Sequence, residues 1–210
     1  MRLIHMRNET LIIIAGVVLF MQLPLPLYWF ILHPNTQAWR RHKRAAYLTA
    51  ALTAWGFGAV FLFLMRQRLY APADSLLRSL GGVALIFAEI YLFQRSAKGL
   101  GYKRLVGECE LSGTGEIVDR GIYARLRNPR YAGSFLAIIG ACLVGGTHWM
   151  WITAVIWAAL MFAAILLEER EMRVRFGAAY NDYCQRVPRF FPRFSSSCLE
   201  ACASVPRNRS

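Results

Sequence analysis

Residues 132–167 read AGSFLAIIGACLVGGTHWMWITAVIWAALMFAAILL, a stretch without a single Asp, Glu, Lys or Arg. As one helix it would be about 54 Å long, against a hydrocarbon core of about 30 Å. Gly145-Gly146-Thr147-His148 interrupts it near the middle, so it reads as a tight hairpin of two membrane-crossing helices. Composition agrees. Hydrophobic residues make up 56% of the 210-residue chain and charged residues 18%, where a soluble domain carries about a quarter charged.

Working outward towards the N-terminus, Leu76–Gln94 reads as a third span. Arg78 sits near one end, where it can snorkel to the interface. Glu89 lies deeper, where an acid is either paired within the bundle or lines a polar cavity. Ala45–Met65 reads as the second span and Leu11–Leu32 as the first, kinked at Pro24 and Pro26. The first run continues through Tyr28–Leu32 without a small-residue cleavage site, so it is expected to be a retained helix and not a signal peptide. Towards the C-terminus, Glu168–Phe194 reads as an amphipathic helix, an interruption at Gly177, a second short helix and a Pro-bounded loop. The expected fold is all-α, a polytopic transmembrane bundle of about five helices with a cytoplasmic cofactor-binding region. Three regions follow: 1–75 with helices one and two; 76–194, a core of the third helix, a cytoplasmic segment, the helical hairpin and the C-terminal amphipathic helix; and a disordered tail, 195–210.

The net charge is +13. Its placement argues for orientation and against nucleic acid as the partner. With five spans and the C-terminus inside, twenty of the 25 Lys and Arg residues fall in the cytoplasmic segments, as the positive-inside rule requires. There they face anionic lipid head groups. The N-terminus is then outside, and the expected location is a bacterial inner membrane; the 22 Arg against 3 Lys hint at a GC-rich bacterial genome. The five cysteines, Cys109, Cys142, Cys184, Cys198 and Cys202, show no CxxC or Cys/His ligand spacing. They read as free thiols in a reducing compartment. The scattered histidines, His5, His33, His42 and His148, build no metal site by spacing.

Chemistry concentrates at two places. In Gly121–Gly133 (GIYARLRNPRYAG), Asn128-Pro129 is a helix start: Asn caps, and Pro fits the first helical position. The first turn offers unpaired N–H groups and the positive end of a helix dipole, which favour a carboxylate or phosphate. Arg127 adds a forked cation, and Gly133 lets a ligand or a helix approach one turn in. The second place is Glu168-Glu169, directly after the apolar run. The hairpin returns these acids to the membrane face of Arg127, so an anion-binding helix start and paired acids can line one pocket. Adjacent residues lie about 100° apart on a helix. One acid should therefore enter the pocket, with Glu168 slightly favoured, and the other should pair with Arg173 or face water. Phe176, Tyr180 and Tyr183 fall at helical spacing, consistent with packing on the bundle or membrane surface.

These residues resemble a known family. Gly121-x-Tyr123-(x)3-Arg127-Asn128-Pro129-x-Tyr131-x-Gly133, an apolar hairpin, Glu168-Glu169-(x)2-Met172-(x)3-Phe176-Gly177-(x)2-Tyr180-(x)2-Tyr183, then Val187-Pro188 and Pro192 are similar to the isoprenylcysteine carboxyl methyltransferase and phospholipid methyltransferase superfamily of membrane enzymes. The matching part covers roughly residues 76–193. The superfamily often reads Arg-His-Pro where this chain has Arg127-Asn128-Pro129, and its phosphatidylethanolamine N-methyltransferases read Asn-Pro-x-Tyr-x-Gly. Gly99-Leu-Gly101 is similar to a short glycine motif of some members. The resemblance implies S-adenosylmethionine as cofactor, held by Gly121, Tyr123, Arg127, Asn128, Pro129, Tyr131, Gly133, Glu168 and Glu169. Arg127, Glu168 and Glu169 would be the catalytic residues, and the acceptor a lipid or lipophilic small molecule reached from the bilayer. The other classes are a non-catalytic membrane scaffold or partner subunit that retains the fold, and a small-solute transporter, for which no internal repeat speaks.

Overall fold

The computed structural model describes residues 2–33, 39–71, 75–101 and 116–191. The expected tail, 195–210, lies outside them, as do Cys109, Cys198 and Cys202. The described residues form seven α-helices: α1 (Arg2–Gln22), α2 (Leu25–Leu32), α3 (Lys43–Leu69), α4 (Leu76–Leu100), α5 (Pro129–Gly145), α6 (His148–Phe176) and α7 (Ala178–Arg186). Among them there is no strand, only an isolated bridge between Tyr70 and Gly146. Four stretches are long and apolar enough to cross a membrane: Glu9–Leu32, Lys43–Leu69, Leu76–Leu100 and His148–Phe176. The fifth, Pro129–Gly145, has 17 residues, the lower end of the spanning range. It tolerates this length because it is the central helix, packed on α4, α1 and α6, with most of its residues buried in protein.

The first span breaks where its prolines stand. Pro26 has no N–H for the carbonyl of Gln22, four residues back. The indole Nε1 of Trp157 on α6 donates to that carbonyl instead, at 2.9 Å, so the break is satisfied from a neighbouring helix. On α3, Ala46, Ala50, Ala54 and Gly58 recur every fourth residue and are buried. A Cβ on Gly58 would come within 2.8 Å of Pro24 Cγ. In the α4–α5 contact, a Cβ on Gly82 would meet the carbonyl oxygen of Gly140 at 2.6 Å, and one on Gly140 would meet that of Gly82 at 2.7 Å. Small residues thus set the helix spacing, as expected where lipid supplies no hydrophobic drive for association.

Two boundaries differ from the sequence reading. The third span runs on to Leu100 instead of ending at Gln94. The fifth span and the amphipathic helix after it are one element, because nothing between Leu167 and Phe176 breaks a helix; Gly177, at φ +55°, ends it. At one end of the bundle the connections are tight: Ala71 N donates to Gly145 O at 3.2 Å and Thr147 N to Leu69 O at 3.1 Å. All the long polar connections leave from the opposite end, which also carries the end of α6.

Candidate active site

At that polar end the start of α5, the end of α6, α7 and the segment 116–118 line a cavity that is partly open to solvent. Tyr123, Arg127, Asn128, Pro129, Tyr131, Glu168 and Glu169 all line it, together with Trp29, Leu100, Met172, Phe176, Tyr180 and Tyr183. Two expected residues are placed elsewhere. Gly133 faces α4, where a Cβ would touch Glu89 Cγ and Leu92 Cβ at 3.4 Å, so it admits a helix and not a ligand. Gly121 (φ +63°) starts a 3-10 turn, Gly121–Ala124, outside the lining.

Asn128 occupies the cap position, but its side chain makes no capping hydrogen bond. This corrects the expectation that it caps. Its side-chain amide N–H instead donates to the buried carboxylate of Glu169, at 3.1 Å from Oε1. Glu169 is 2% exposed, and Arg189 clasps it with Nε on one oxygen at 3.0 Å and a terminal nitrogen on the other at 2.7 Å. Arg127 and Arg173 stand 3.6 and 3.7 Å away. Glu168 is half-buried and accepts a hydrogen bond from the Tyr131 hydroxyl. The acids therefore divide. Glu169 is consumed by structural cations, Arg173 among them, while Glu168 keeps carboxylate capacity towards the cavity.

Arg127 is held from three sides. Its backbone N–H donates to Pro188 O at 2.9 Å, and that of Asn128 to Arg189 O at 3.2 Å. Its guanidinium donates to Cys184 Sγ. Its Nε is buried without a partner among the described residues, and the side chain is only 10% exposed.

The aromatic wall is equally fixed. Tyr183 donates its hydroxyl to Tyr123 O at 2.7 Å. Burial pushes the Tyr123 phenol up to about 12, and burial likewise raises Tyr180 and Tyr183, so all three remain neutral at physiological pH. Gly99 makes room for the Tyr123 ring, which a Cβ there would approach to 3.1 Å. Trp29 meets Tyr131 edge to face, with centroids 6.5 Å apart, and the Arg130 guanidinium lies 5.7 Å from the Trp29 ring centroid. Sequence reasoning missed Trp29 and Arg189. Trp29 comes from α2, more than ninety residues before α5, and Arg189 sits in a loop without periodicity.

The described residues thus form a helical bundle with helices long and apolar enough to cross a membrane and a cavity at one end. Residues 77–179 match the family model described as phospholipid methyltransferase. This part of the chain is therefore similar to that family, which shares a superfamily of membrane methyltransferases with the isoprenylcysteine carboxyl methyltransferases. The chain is similar to the nickel-cobalt-cadmium resistance protein NccN of Alcaligenes xylosoxydans xylosoxydans, 31% identical over 98 residues. The match covers 44% of this chain and 46% of that protein, so the chain aligns with about half of the relative's length. No solved structure matches the chain.

Proposed function

We propose that the chain is an S-adenosylmethionine-dependent methyltransferase of the membrane that methylates a lipid or lipophilic small molecule. The observation that carries this is the buried, unpartnered Nε of Arg127 beside the start of α5. It fits the carboxylate of an amino-acid-bearing cofactor. Arg127 and the first N–H groups of α5 would hold that carboxylate, Glu168 the ammonium or ribose hydroxyls, and Tyr123, Phe176 and Tyr180 the flat base and the cationic sulfur. When bound, the cofactor supplies a methyl group on a positively charged sulfur that leaves as a neutral thioether. The protein's task is then alignment and exclusion of water. Glu168 is placed to take a proton at a carboxylate oxygen from an acceptor that must lose one. NccN is named for metal resistance; the family match over residues 77–179 is what supports the methylation reading.

Purified protein in nanodiscs should transfer labelled methyl from S-adenosylmethionine into a total lipid extract, and the product identifies the acceptor. Binding of the cofactor without transfer into any lipid would favour the scaffold reading.

The charge distribution supports a cytoplasmic cavity, since the basic connections leave from its end of the bundle. Reporter fusions at Thr147 and Ser210 should therefore give opposite answers, Ser210 cytoplasmic. Equal answers would refute the hairpin crossing.

A further inference from the structure

Trp29 and His33 stand outside residues 77–179, the stretch that the family model matches. Both belong to the end of the first span: α2 closes at Leu32, and His33 is its C-cap. Four residues apart, they share one helix face. The His33 side chain is only 5% exposed. Its ring stacks on that of Trp29, with centroids 5.3 Å apart and planes at 28°. Its Nδ1 lies 2.8 Å from a carboxylate oxygen of Glu171. A carboxylate only accepts, so Nδ1 carries the proton and donates. Trp29 in turn lines the cavity and meets Tyr131 edge to face, and the Tyr131 hydroxyl donates to Glu168.

These contacts close a ring. It leaves α6 at Glu171, passes through His33, Trp29 and Tyr131, and returns to α6 at Glu168, three residues earlier on the same helix face. Because α6 is unbroken there, the imidazole is fixed to the same rod that carries Glu168. An aliphatic side chain at position 33 would fill the space equally well. The imidazole adds a hydrogen bond that sets its plane, and with it the plane of the indole stacked upon it. Trp29 and Tyr131 are both buried, so in a close-packed interior neither ring turns without displacing the other. We propose that Trp29 and His33 are positioning residues that hold the Tyr131 hydroxyl on Glu168 and so aim its carboxylate into the cavity. This rests on the methyltransferase reading, in which Glu168 takes a proton from the acceptor, and deepens it: the first span completes the site. A proton acceptor must lie within hydrogen-bond reach of the group it serves, and a misplacement of about 1 Å costs about a hundredfold in rate.

The test uses the full chain in nanodiscs. With the acceptor identified from the lipid extract, His33→Leu should lower kcat at least tenfold. The KM for the acceptor and the affinity for S-adenosylmethionine should stay within threefold of wild type. His33→Asn, which returns an N–H donor near the place of Nδ1, should recover at least threefold of the loss. In a Tyr131→Phe background, where the hydroxyl is absent, adding His33→Leu should change kcat less than twofold further. Leu32→Ala, at the buried neighbour on α2, removes packing alone; it should lower the melting temperature and leave kcat within twofold. Without any cofactor, fluorine NMR of protein labelled with fluorotyrosine reads Tyr131 directly, its line being the one missing from Tyr131→Phe. That line should shift in Glu168→Gln and in His33→Leu, and hold its place in Leu32→Ala. Should His33→Leu fail to fold, Trp29→Phe replaces it in every measurement, with a kcat loss of at least threefold. Independent losses in the double variant, an equal kcat loss in Leu32→Ala, or an unmoved Tyr131 line in His33→Leu would overturn the proposal. If wild-type protein does not bind S-adenosylmethionine, the methyltransferase reading falls alone, because the fluorine lines still decide whether His33 sets Tyr131.

Discussion

Glu169→Ala should lower the melting temperature by roughly 10 °C or more, while Glu168→Gln leaves it nearly unchanged. Glu169 is buried, its oxygens fully engaged by Arg189, with Asn128, Arg127 and Arg173 close by. Removing it strands the guanidinium of Arg127, itself 10% exposed, and releases the segment that carries Arg189. Breaking a buried ion pair by deleting one partner costs about 3–5 kcal/mol, and each kcal/mol moves the midpoint of a chain this size by about 2–4 °C. Glu168 accepts from the Tyr131 hydroxyl and lines the cavity. Its replacement by Gln should lower turnover about a hundredfold, in the range of a lost general base, with a normal melting curve. Thermal denaturation and methyl transfer measured on both variants in the same nanodiscs decide the matter. A Glu169→Ala protein that melts like wild type would show that the arginine cluster holds nothing together. A fully active Glu168→Gln would remove that residue from the chemistry.

Arg127→Ala should weaken S-adenosylmethionine binding tenfold or more, since hydrogen bonds to charged groups contribute about 1.5–3 kcal/mol. Arg127 also touches Glu169 and Cys184, so a folding defect must be separated from lost recognition. Arg127→Lys does this. It keeps a positive charge beside Glu169 but lacks the fork, so it should melt near wild type and still bind the cofactor poorly. Arg125, exposed and two residues earlier, serves as the control, and Arg125→Ala should change affinity less than threefold. Unchanged affinity in folded Arg127→Lys and Arg127→Ala would refute the anion-holding role.

Local signals carried much of this into view before any coordinates. The uncharged run, Gly145-Gly146 and Asn128-Pro129 place α5, the turn and α6 where they stand, because each depends on neighbours in sequence. Arg127, Glu168 and Glu169 meet at one cavity because a hairpin returns its ends to one face. What stayed hidden is long-range. That Glu169 is the buried acid depends on Arg189, twenty residues on in an aperiodic loop. That Asn128 gives its amide N–H to Glu169 depends on the same buried carboxylate. That Gly133 serves α4 instead of a ligand depends on which face of α5 the fourth helix covers, and spacing within α5 is silent on that.

The unbroken course of α6 through Glu168 and Glu169 has a mechanical consequence. At 1.5 Å per residue, its 29 residues make a rod of about 43 Å, longer than the hydrocarbon core by about 13 Å. The acids therefore ride on a stiff mast stepped in the bilayer, with no hinge between the lipid-facing shaft and the chemistry at its head. A change in membrane thickness tilts such a mast as a whole. The height of the acids above the hydrocarbon is thus a property shared between the protein and the lipid around it.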